Sequence, residues 1–206
     1  MAEKANKVKF NLKNAHYALL TIGEDGTPTF GTPVPMPGSV SISLDANGEP
    51  ENFYADGGVY YVINNNCGYD GDLELALIPE SFRTDVLKET LDSKGVLIEN
   101  SEVELAAFAL LFEFDGDQKH IRHVLYNCSA SRPGIEGKTN EDSKEVQTEK
   151  LSLKAVPLAN GMVKAKTGNT TDATTYADWC KAVYVPAAES DAATQSAAKP
   201  AKAVKE

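Results

Sequence analysis

The chain has 206 residues, with 20 Lys and Arg against 30 Asp and Glu and a formal net charge of −10, a balance that disfavours duplex binding by phosphate neutralisation. Apolar residues at 42% and charged residues at 24% are globular proportions, so the chain can collapse around a core, and its length suits one domain. No apolar run is long enough to cross a bilayer, the N-terminus lacks the apolar stretch of an export signal, and Cys67, Cys128 and Cys180 are too few and too far apart for a disulfide framework or a zinc site.

Residues 1–13 form a small basic arm, with Lys4, Lys7, Lys9 and Lys13 against Glu3. Acidity is concentrated further on: residues 45–104 hold 14 acids against Arg83, Lys88 and Lys94, a net of −11. Val40, Ile42 and Leu44 alternate with serines as in a half-buried strand. Segment 45–66 is broken by Asn47-Gly48, Gly57-Gly58 and Asn64-Asn65-Asn66 around Phe53, Tyr54, Tyr60 and Tyr61. It is expected to form a long loop or hairpin arm for contacts between subunits or rings, the alternative being an ordinary hairpin of the main sheet with buried tyrosines. Leu73, Leu75 and Leu77 share one strand face, with Glu74 and Ala76 opposite.

Pro79-Glu80 opens a helix that carries Phe82, Val86 and Leu87 on one side, up to a turn over 92–95. From Phe108 to Phe114 the residues at 108, 110, 112 and 114 are apolar, and so are Ala109 and Leu111 between them. A strand apolar on both faces is covered twice, by its own core and by another layer or subunit. Asp115-Gly116-Asp117 turns the chain into a strand over 121–129, and another follows over 145–155. Thr175-x-x-Asp178 resembles a capping box, and Tyr176, Trp179, Cys180, Val183 and Tyr184 make a helical stripe that docks on a sheet and stops at Pro186. Residues 187–206, with eight alanines, three acids and three lysines, read as a flexible tail dispensable for assembly. About eight strands and two short helices point to a mainly β (α+β) domain over residues 1–186, two packed sheets in a sandwich or barrel with a flanking helix.

Candidate chemistry is sparse. Gly137-Lys138-Thr139 lacks the first glycine of a phosphate loop, because Arg132 occupies that position. His120 and His123 fall on opposite strand faces and cannot grip one metal together. Asp70 and Asp72 sit at a spacing that overlaps with paired-carboxylate hydrolases, although Asp-Gly-Asp is also ordinary turn composition. Neither Asp-Gly-Asp run continues into a calcium loop. No catalytic, cofactor-binding or metal-binding residue is expected, and a structural or binding protein is favoured over an enzyme.

The runs Phe53-Tyr-Ala-Asp-Gly-Gly-Val-Tyr-Tyr61, Gly68-Tyr-Asp-Gly-Asp-Leu-Glu-Leu-Ala-Leu-Ile-Pro-Glu-Ser-Phe-Arg-Thr-Asp-Val-Leu87 and Phe108-Ala-Leu-Leu-Phe-Glu-Phe-Asp-Gly-Asp117 resemble the major tail proteins of siphophages infecting Gram-positive bacteria. Arg122-His-Val-Leu-Tyr-Asn-Cys-Ser-Ala-Ser-Arg-Pro133, Glu145-Val-Gln-Thr148 and the segment from Tyr176 to Pro186 resemble them too. The similarity spans residues 8–186. It implies a tail-tube fold and a virion protein that stacks as hexameric rings into the non-contractile tube through which the genome leaves. The partners it implies are further copies of the chain, a tape measure protein, and tail terminator and distal tail proteins, with assembly in the host cytoplasm. DNA would pass without specific binding, and no membrane is involved. With that implied role, Asp72 and Glu74 are the leading candidates for the lumen wall, and Asp70 joins them only if its strand runs through Gly71 without a bulge. A β-sandwich module binding carbohydrate or a receptor, using Tyr54, Tyr60 and Tyr61 as a platform, and an acidic hydrolase using Asp70 and Asp72 are the alternatives from other classes.

Overall fold

The period-two stretches fold as strands and the two apolar stripes as short helices in a computed structural model, which describes residues 5–140 and 142–186. In chain order these are β1 (Lys9–Ile22), β2 (Pro28–Phe30), β3 (Val34–Pro35), β4 (Ser39–Asn47), β5 (Glu51–Ala55), β6 (Gly58–Ile63), β7 (Gly68–Leu75) and α1 (Glu80–Asp85). There follow β8 (Thr90–Leu91), β9 (Leu97–Ile98), β10 (Phe108–Gly116), β11 (Ile121–Ala130), β12 (Glu149–Ala155), β13 (Lys164–Lys166) and α2 (Ala173–Asp178). The fold is mainly β, as expected. Eight of these strands are five residues or longer. The other five are two- or three-residue pairings too short to carry any alternation.

Nine strands form one antiparallel sheet in the order β2-β1-β10-β11-β12-β7-β4, with β3 also on β1 and β13 on β11. The sheet curls back on itself because residues 36–38, between β3 and β4, bond to both of its ends. Met36 N–H donates to the Ala15 carbonyl at 2.7 Å, and Ala76 N–H donates to the Gly38 carbonyl at 2.7 Å. Gly38 has φ +86, and a Cβ there would meet the Ala76 Cβ at 3.0 Å, so this corner favours glycine.

Inside the curl lie Tyr17, Leu73, Leu75, Phe108, Leu110, Leu151 and Leu153, all buried, with Phe82 and Val86 of the α1 region closing one end. The Tyr17, Phe82 and Phe108 rings meet edge to face at 5.2 and 5.3 Å, a favoured aromatic geometry. Tyr17 donates its hydroxyl to Asp85 at 2.8 Å, and burial pushes that hydroxyl's pKa up to about 12. On the opposite sheet face Ala18, Ala109, Leu111, Val124 and Tyr126 pack with Leu158 and Trp179 in a second core. The double cover of β10 is therefore supplied by the same chain, through the segment that ends in α2. Its one buried acid, Glu113, is paired with Arg122 at 3.0 Å.

Several local expectations shift. Val40 is exposed because the register slips between Ser39 and Ser41, and Leu77 is exposed because β7 has ended at Leu75. The first helix stops at Asp85 instead of reaching the 92–95 turn, with Lys88 at φ 61. The second helix is capped by Asp172, which accepts from the N–H groups of Thr174 and Thr175 at 3.0 Å, not by a box from Thr175. It ends at Asp178 instead of running to Pro186, so Trp179, Cys180, Val183 and Tyr184 follow the helix in turns and irregular chain. The strand expected from 145 begins at Glu149. The expectation for residues 187–206 lies outside the described residues.

Candidate functional site

β7 continues through Gly71 in unbroken register with β12, from Tyr69↔Ala155 to Leu75↔Glu149. Asp70, Asp72 and Glu74 therefore share the face turned away from the core, opposite Leu73 and Leu75. The register places three rungs across β4, β7 and β12: Ser41, Glu74 and Lys150; Ser43, Asp72 and Ser152; Asp45, Asp70 and Lys154. Every one of these nine residues is polar. Four acids stand against two lysines, a net of −2.

The carboxylates are held in place. Glu74 accepts from Thr148 at 2.5 Å and from Ser41 at 2.7 Å, and those two hydroxyls, Thr148 first, hold its pKa below the ordinary value. Asp72 accepts from Ser152 at 2.7 Å and Asp70 from Asn47 at 2.7 Å. Gly71 sits between the acids because a Cβ there would lie 1.9 Å from the Ser43 carbonyl oxygen. Sequence reasoning missed Lys150, Ser152 and Lys154 on this face, since only the register brings them beside residues 76 to 84 positions away. Among the described residues no group of three His, Cys, Asp or Glu has metal-binding geometry, and no helix is long and apolar enough to cross a membrane.

β5 and β6 pair only with each other, in a two-stranded ribbon outside the main sheet. Asp56 at φ 51 and Gly57 at φ 81 form its turn, the two positive values that a tight hairpin turn demands. The arm exposes Phe53, Tyr54, Val59, Tyr60, Tyr61, Val62 and Ile63, with Tyr60 at 72%. Phe53 and Tyr60 meet edge to face at 6.5 Å. The alternative of a main-sheet hairpin with buried tyrosines does not hold. Val59, Val62 and Ile63 were not singled out from sequence, although the run 59–63 has no polar residue to mark a wet face. At the root, Cys67 N–H donates to the Asn47 carbonyl at 2.9 Å, and a Cβ on Gly48 would lie 2.6 Å from the Asn65 carbonyl oxygen.

No protein-family model matches the chain. No curated protein matches it. Among solved structures, it is similar to a chain in the cryo-EM structure of the six-fold symmetrised anti-feeding prophage baseplate, with TM-score 0.45 and 10% identity over 81% of this chain and 99% of the other. It is also similar to a chain in the cryo-EM structure of the anti-feeding prophage tube-terminating cap, with TM-score 0.41 and 8% identity over 78% and 93%. TM-scores of this size do not establish a shared fold.

Proposed function

We propose that the chain is a structural subunit of a phage tail, polymerising as stacked hexameric rings into a non-contractile tube that conducts DNA during ejection. The observation that carries this reading is a sheet face on β4, β7 and β12, polar at all nine positions of its three rungs, that ends at the β4 edge, where among the described residues β4 pairs with β7 alone. An open edge is a template for another chain's strand. Repeated around a ring, edge pairing continues the polar face into a closed inner wall. The wall is less acidic than the local sequence implies, because Lys150 and Lys154 offset half of its carboxylates. Six copies would still carry about −12 per ring, which repels phosphate within a screening length of about 8 Å. The extended sequence resemblance over residues 8–186 supports the same role.

Negative-stain images of concentrated protein test assembly, with rings or tubes expected and dispersed monomers at every concentration refuting it. Within assembled tails, Asp72→Lys with Glu74→Lys should leave tubes intact and slow DNA passage, whereas normal ejection would remove these residues from the wall. The exposed Tyr54, Tyr60 and Tyr61 also suit a carbohydrate-binding module, which would stay small and bind glycans in the same preparations.

A further inference from the structure

The core inside the curled sheet is closed at one end by Phe82 and Val86 but opens at the other into a recess of about 350 Å³. Its floor is formed by Ile42, Leu44, Phe112 and Leu125, and its rim carries Lys9, Lys164 and His123. The two lysines rest on aromatic rings: Lys9 Nζ lies 4.5 Å from the centroid of Phe114 and Lys164 Nζ 4.2 Å from that of Tyr69. Among the described residues neither makes an ion pair with a carboxylate. His123 stacks on Phe112 at 5.1 Å. Burial first, and then the positive charges of Lys166, Lys9 and Lys164, push its pKa down to about 4. Lys164 also donates to the Tyr69 hydroxyl. An apolar floor under two lysines with no carboxylate partner among the described residues fits a partner that is both aromatic and acidic.

The β5–β6 arm has that chemistry. It carries exposed Glu49, Glu51 and Asp56 beside its aromatics, and no Lys or Arg occurs anywhere between Lys13 and Arg83. We infer that the arm of one copy inserts its aromatic tip into the Lys9/Lys164 recess of a second copy. A chain's own arm is poorly placed to do so: it leaves the sheet at Asn47 and Gly68, close in sequence to Leu44 and Tyr69 of the same recess, and its root is fixed by the backbone contacts of Gly48 and Cys67. Residues 187–206 contain no aromatic side chain and have three acids balanced by three lysines, so they lack the complement. Arm and recess are different surfaces of one chain, so each copy offers one of each and the contact is heterologous, able to propagate round a ring or along a filament. The inference rests on the assembly reading above and adds to it the surface that receives the arm.

The test places a photoreactive p-benzoylphenylalanine at Tyr60 in the full chain, mixes light and heavy isotope-labelled protein, irradiates at assembling concentration and maps the cross-links by mass spectrometry. Mixed-isotope cross-links to residues 42–44, 112–114 or 123–125 are expected. Cross-links to another surface of a second copy, to residues 187–206, or only within one chain would overturn the docking while leaving assembly intact. Failure to form any particle, with no mixed-isotope product, would overturn both. As a second arm, Lys9→Glu with Lys164→Glu should weaken assembly about tenfold or more, and Glu49→Lys with Glu51→Lys should restore it, as expected of a close charge pair. Unchanged assembly in the lysine variant refutes the contact.

Discussion

Replacing Tyr60 and Tyr61 by serine removes two rings that are 72% and 64% exposed and that touch little of their own chain. An aromatic side chain offers about 200 Å², so the exposed portion of the pair amounts to about 270 Å². At about 25 cal/mol per Å², covering all of it would contribute about 7 kcal/mol, an upper bound that interface ordering reduces to about 3 to 4 kcal/mol for the pair. The same substitutions leave the main sheet untouched, and surface changes of this kind alter folding stability by about 0.5 kcal/mol or less. Urea unfolding followed by circular dichroism should therefore give a midpoint close to that of the parent chain. Sedimentation velocity should show assembly shifted to concentrations at least a hundredfold higher, as about 3 kcal/mol requires. Loss of folding in step with loss of assembly would refute the reasoning, because it would make the tyrosines part of the core. Normal assembly would refute it from the other side, because the arm would then contact nothing.

The depressed His123 makes a pH prediction. Its folded pKa of about 4 lies below the ordinary 6.5, so the unfolded chain takes up the proton first. Its contribution, about 3 kcal/mol at most, is complete above pH 6.5 and is lost as pH falls toward 4. Stability measured by urea should decline across that window, and His123→Gln should flatten the decline; an unchanged slope counts against the burial argument. Gly71→Ala drives a Cβ to 1.9 Å from the Ser43 carbonyl oxygen and 2.9 Å from the Leu44 Cα, backbone that cannot rotate away. It should cost about 3 kcal/mol or more in equilibrium unfolding, and a change under 0.5 kcal/mol would contradict the close approach of β4 and β7. Trp179→Ala removes a side chain that is 3% exposed, stacks on Tyr184 at 5.4 Å and donates to the His123 carbonyl at 3.3 Å. Far-ultraviolet circular dichroism should report a loss of about 3 to 5 kcal/mol, and a near-neutral effect would show that the second core does not depend on it.

Much of this molecule is readable from local pattern. The two-sided apolar character of β10 and the alternation that puts Asp72 and Glu74 opposite Leu73 follow from side-chain period and are present, and Trp179 docks on the sheet as its stripe implies, although from the turn after α2 and not from within a helix. What period cannot carry is register. The bulge that expels Val40 is decided by where β4 meets β7, and Leu77 leaves the core because the chain must turn toward Pro79. The lysines beside the acidic rungs come from a strand 76 to 84 positions away, so charge counted along the sequence overstates the acidity of the face. The arm's exposure was legible as a question, four aromatics among glycines and asparagines. Only the pairing of β5 with β6 and with nothing else answers it.

The pairing of β1 with β10 has a consequence for synthesis. Lys9 meets Gly116 and Leu19 meets Phe108, so although the short β2 and β3 follow β1 closely, its long partner strand arrives only after roughly a hundred further residues have been translated. At about 5–20 residues per second that is a wait of about 5–20 s. Within that interval residues 51–63 are all synthesised, and a local hairpin of this kind closes in about 1–10 μs when it forms. The exposed aromatic ribbon is thus synthesised before β10, β11 and β12, and Trp179 of the second core comes later still. Nascent chains crowded on one message would present such ribbons to one another before any of them had a finished sheet, the stage at which exposed apolar surface and unpaired edges favour aggregation.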